Sequence, residues 1–93
     1  MSQQVDQKAL FDAADQFIAL ANAMAQKDQS GIAGTAIRYA AARYSAFEAA
    51  QISQDLAADK EKMKELFNAD FDKMLDDNLN TYIHHLAMQS VPS

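Results

Sequence analysis

Asp72 and Asp76 stand one helical turn apart, and Asp70 and Asp77 flank them. Carboxylates at that spacing can share a divalent cation, with water completing its shell. Here the side chains are short, sit on a single element and have no looped carbonyls to finish a cage. The pattern reads as a solvated acidic face. His84-His85 is the second grouping. Neighbouring helical residues point about 100° apart, so the two imidazoles cannot ligate one ion. Asp77, Thr81 and His84 line one edge, and Asn80 with His84 makes another pair. Di-iron helical proteins place a Glu three residues before the His on each of two helices. This chain has Thr81 before His84 and Tyr82 before His85, so that motif is absent. No metal or cofactor is expected.

Nucleophile chemistry fares no better. The hydroxyls are Ser2, Ser30, Thr35, Ser45, Ser53, Thr81, Ser90 and Ser93, none within G-x-S-x-G. Both histidines lie near the end of the last helix, which leaves no base–nucleophile pair to argue. There is no cysteine, so disulfides, thiolate ligands and cysteine nucleophiles are all excluded. The expectation is a protein that is not an enzyme. One polar pair invites a binding role instead. Arg43 lies one turn after Tyr39 and could meet an anion or a partner if half-buried. The plainer reading is a flank charge whose aliphatic stem covers apolar surface.

Ninety-three residues suffice for one domain, residues 1–93, with a modest core. Only two Gly and one Pro interrupt a chain that is 49% hydrophobic, which points to folded helix. A net charge of −5 repels phosphate and disfavours nucleic acid. No apolar window is long enough to span a membrane. The start, MSQQVDQKAL, lacks the basic and apolar regions of a secretory signal, so the expected location is the cytoplasm.

Three helices are predicted, at about 5–26, 34–52 and 56–87. On the first, Leu10, Ala13, Ala14, Phe17, Ile18, Leu20, Ala21 and Met24 share one side. Asp6 and Lys27 complement the two ends of its dipole. KDQSGIAG, residues 27–34, holds both glycines and reads as a turn. Gly31 suits the left-handed end of a helix, and Ser30 or Thr35 suits the next cap. A phosphate loop would need a strand before it or a basic partner. The second helix is alanine-rich, and Ile37, Ala40, Tyr44, Phe47 and Gln51 mark its expected inner face. Ser53-Gln54-Asp55 is the expected joint to the third helix, because Ser and Asp are good caps. Val91-Pro92 ends any helix.

YAAARYSAFEAA at 39–50, LAADKEKM at 56–63 and KMLDDNLNTYI at 73–83 resemble a group of short, helical proteobacterial proteins classed as a domain of unknown function. The resemblance covers about Val5 to Leu86. It implies a single-domain bacterial protein with no assigned activity, and it carries over no catalytic or binding residue.

The third helix organises the rest. Met63, Phe67, Phe71, Leu75, Leu79 and Ile83 are each four apart, with Leu66, Met74, Tyr82 and Leu86 in a second row. A four-residue row creeps about 40° per step, so one straight neighbour cannot cover it. Phe67 and Phe71 are expected to meet the first two helices. The other end, Leu79, Tyr82, Ile83 and Leu86, overhangs an up-down-up bundle and is the candidate dimer interface. Rows four apart on both partners favour a crossing near −50°. The fold expected is therefore an all-α three-helix bundle with a long C-terminal helix, paired as a homodimer. The function expected is that of a small cytoplasmic interaction or regulatory protein. A second, unidentified protein partner is compatible with it. The alternative is a helical module holding a small apolar ligand or, more weakly, a divalent metal.

Overall fold

The computed structural model describes residues 6–89, and over that span the chain is all-α. Helix α1 runs Gln7–Lys27, α2 runs Ile32–Ile52 and α3 runs Leu56–Gln89. Each boundary has a local cause. Asp6 caps α1, its carboxylate accepting from the Lys8 N–H at 3.1 Å. The end of α1 is closed by the Asp28 N–H, which donates to the Met24 carbonyl at 3.0 Å. Lys27 occupies the last turn, where a cation complements the dipole. Val5 and the Val91-Pro92 stop lie outside the described residues.

The turn between α1 and α2 is built on Asp28, Ser30 and Gly31. The Ser30 N–H donates to the Asp28 carboxylate at 2.9 Å, and the Ser30 hydroxyl accepts from the Ile32 N–H at 3.4 Å. Gly31 sits at φ 93°, a left-handed conformation that a side chain would strain. Of the two candidate caps, Ser30 serves and Thr35 does not. Helix α2 starts two residues earlier than the glycines suggested, because Gly31 alone ends the turn and Gly34 is already helical.

Between α2 and α3 the break falls at Ser53–Asp55 as expected. The Asp55 carboxylate accepts from the Ala58 N–H at 3.2 Å, which makes it the cap of α3. The Ser53 hydroxyl accepts from the Asp55 N–H at 3.1 Å and donates to Asp59 at 2.8 Å. One hydroxyl thus ties the end of α2 to the first turn of α3. Neither Gly nor Pro is needed.

The fold divides between Tyr44 and Ser45 into two compact units, so α2 contributes to both. In the first, the shielded positions are Ala14 and Ala21 on α1 and Ala33, Gly34, Ala36 and Ile37 on α2. In the second they are Ser45, Ala49 and Ser53, then Asp59, Met63 and Phe67 on α3. Among the described residues only Ala33 and Ala49 are fully buried. Small side chains let two helix backbones approach closely, so the contact closes on alanine and excludes the larger neighbours.

That geometry corrects the expected faces. Of the inner row proposed for α2, only Ile37 is shielded, while Tyr44 and Phe47 remain 64% and 55% exposed. Along α1 the large members of the apolar side, Leu10, Phe17, Ile18, Leu20 and Met24, are all exposed. Phe67 is half-buried, but Phe71, expected beside it, is exposed. The row Asp59, Met63, Phe67 follows the short seam of α2 and then ends, because the four-residue creep carries Phe71 past it.

Candidate functional site

The end of α3 is where shape and chemistry coincide. Every residue from Asn68 to Gln89 is exposed, although the helix continues unbroken over that whole span. Leu79, Tyr82, Ile83 and Leu86 are 51%, 66%, 63% and 59% exposed. Phe71 and Leu75 add to the same exposed apolar set. Contiguous exposed apolar surface of this kind commonly marks interaction sites. No helix among the described residues is long and apolar enough to cross a membrane.

Relative to the shielded row of Asp59, Met63 and Phe67, the positions of Leu75, Leu79, Tyr82 and Leu86 lie about 130° further round the axis. The stripe is therefore a separate face of α3, distinct from the one that its own unit covers. The candidate interface residues Leu79, Tyr82, Ile83 and Leu86 are all exposed, and so are Leu75, which had no assigned role, and Phe71, which was expected in the core. The spacing of Leu75, Leu79, Tyr82 and Leu86 by four, three and four was the signal available.

Polar side chains beside this stripe bond along their own helix. The Asn78 amide donates to the Met74 carbonyl at 2.7 Å, and the Thr81 hydroxyl donates to the Asp77 carbonyl at 3.1 Å. The Asn80 amide lies 3.3 Å from Asp76, and Gln89 lies 3.1 Å from the Nε2 of His85. Among the described residues, no three carboxylates or imidazoles gather closely enough to hold a metal ion. Excess zinc or manganese should accordingly leave the melting temperature unchanged, since a ligand that binds only the folded state raises it. A rise of several degrees at micromolar metal, followed by differential scanning fluorimetry, would revive the edge formed by Asp77 and His84.

On α2 the guanidinium of Arg43 stacks over the Tyr39 ring, 5.0 Å from its centre. Both residues are exposed, so Arg43 is not the half-buried charge that an enclosed anion site would require. The pair presents a flat cationic and aromatic surface to solvent. The Asp28 carboxyl is held below its usual range by the Ser30 N–H and hydroxyl. A depressed carboxyl of this kind supports the turn above the ordinary Asp range, and its contribution fades as pH falls through the lowered value.

A family model described as a protein of unknown function, DUF3144, matches residues 10–83. The chain belongs to this family. The matched span of the DUF3144 chain begins in α1 and ends in α3, taking in both turns. Tyr39, Arg43, Leu79, Tyr82 and Ile83 lie within it, and Leu86 lies beyond it. No curated protein and no solved structure matches the sequence.

Proposed function

We propose that this protein acts by binding rather than by catalysis, as a small bacterial cytoplasmic interaction or regulatory protein that self-associates through the second half of α3. The single observation supporting this is the run of exposed large apolar side chains on a helix that continues far past the last shielded residue of its unit, Phe67. An isolated helical segment gains little from its backbone bonds alone, and most helical stability in proteins comes from packing an apolar face. A second chain supplies that packing, and closed two-fold pairing is the commonest form. The Tyr39–Arg43 pair on α2 is then available for a different protein.

Replacing Ile83 with Asp tests the reading. The expected product is a monomer by analytical ultracentrifugation that stays predominantly helical. A variant that associates as strongly as the parent removes the end of α3 from the contact.

A further inference from the structure

Resting on the self-association just proposed, we infer that two copies pair antiparallel along the exposed stripe Phe71, Leu75, Leu79, Tyr82 and Leu86, about a two-fold axis passing between Asn80 and Thr81. Three features of α3 lead there. The first is spacing. Leu75, Leu79, Tyr82 and Leu86 step by four, three and four, which is the repeat of a two-helix seam rather than of a steadily creeping row. Ile83, which continues the four-residue row, then sits on the flank. The helices lie nearly along each other instead of crossing steeply.

The second feature is that the stripe is its own complement only when reversed. About the proposed axis Leu79 meets Tyr82 of the second copy, and Leu75 meets Leu86. Leu75, Leu79, Tyr82 and Leu86 therefore each find an apolar neighbour. Asp72 lies three residues before Leu75 and so also falls in the seam. Parallel pairing in register would set it against its own copy, two like charges in one layer. Antiparallel pairing sets it against Gln89, a neutral amide.

Charge distribution along the helix is the third. Between Asp70 and Asp77 α3 carries four aspartates and one lysine, whereas from His84 to Gln89 it carries no acid and both histidines of the chain. Reversal places each acidic stretch opposite the acid-free stretch of the other copy, while parallel pairing superposes acid on acid. Like charges across an interface weaken it and opposite or neutral ones do not. On the flanks, Asp76 comes beside Ile83 and Asn78 beside His85. A foreign helix would need this same length, spacing and charge gradient. The second copy has them.

Disulfide trapping tests the register, because the natural chain has no cysteine to interfere. Leu75→Cys and Leu86→Cys are prepared separately. Both sites are exposed within the chain, so neither change disturbs its own fold. The reduced proteins are mixed in equal amounts and oxidised. The expected product is the mixed 75–86 disulfide in at least several-fold excess over either self-disulfide. In the antiparallel pair, two copies of residue 75 stand about 16 Å apart along the axis, beyond disulfide reach. Dominant self-disulfides would overturn the antiparallel register while leaving self-association standing. A chain that stays monomeric by light scattering, with no disulfide of either kind, would overturn both.

Discussion

Ala49→Leu should destabilise the protein by about 1–3 kcal/mol, read as a shift of the urea midpoint. Ala49 is 4% exposed, the most buried residue described, and it faces a seam closed by small side chains and the Ser53–Asp59 bond. Three further carbons cannot enter that seam without pushing α2 and α3 apart. Ala33, 6% exposed in the other unit, should respond to Leu in the same way. Ala46 and Ala50 are exposed neighbours on the same helix and serve as controls. Leu is nearly as good a helix former as Ala, so those two variants should melt within about 0.5 kcal/mol of the parent. A parent-like Ala49→Leu would mean that the seam has room, and that the fold rests on its larger side chains instead. The effect is large relative to what a chain of this size has to spare, since domains hold only about 5–15 kcal/mol in total.

Dilution should cost helix. Residues after Asp70 have no shielding within their own unit, yet they form roughly a quarter of the helical residues described. If a second copy stabilises that segment, lowering the concentration below the dissociation constant frays it. The signal at 222 nm should then fall by up to about a quarter while the two shielded seams persist. Ile83→Asp should show the diluted value at every concentration. A helix signal independent of concentration, in parent and variant alike, would mean that the end of α3 is stable by itself.

The two turns were readable in advance because they depend on single residues with local roles. Gly31 supplies a positive φ, and Asp55 caps α3 through a bond to a residue three positions away. Asp6 was given only a dipole role inside a helix starting at Val5, whereas it is the cap of a helix starting at Gln7. The faces were not readable in the same way. Alanine is compatible with a core or a surface, so the composition of α2 conceals which of its alanines is Ala33 or Ala49. Ranking faces by size placed Tyr44, Phe47 and Phe71 inside, whereas close helix approach selects the small residues and leaves those outside. The exposure of Leu79, Tyr82, Ile83 and Leu86 was legible, because the third helix was expected to be longer than the other two and its end to be left uncovered. Its extension back through Leu75 to Phe71 was hidden by giving Phe71 to the core. The stacking of Arg43 on Tyr39 follows from their one-turn spacing, but its full exposure depends on which face of α2 is covered.

All of this turns on whether a second chain covers α3. The most direct measurement is the mass of the unmodified protein by multi-angle light scattering at tens of micromolar. Twice the chain mass of 10.2 kDa, about 20 kDa, is the result expected of closed two-fold pairing. A single mass of 10.2 kDa at that concentration would contradict it.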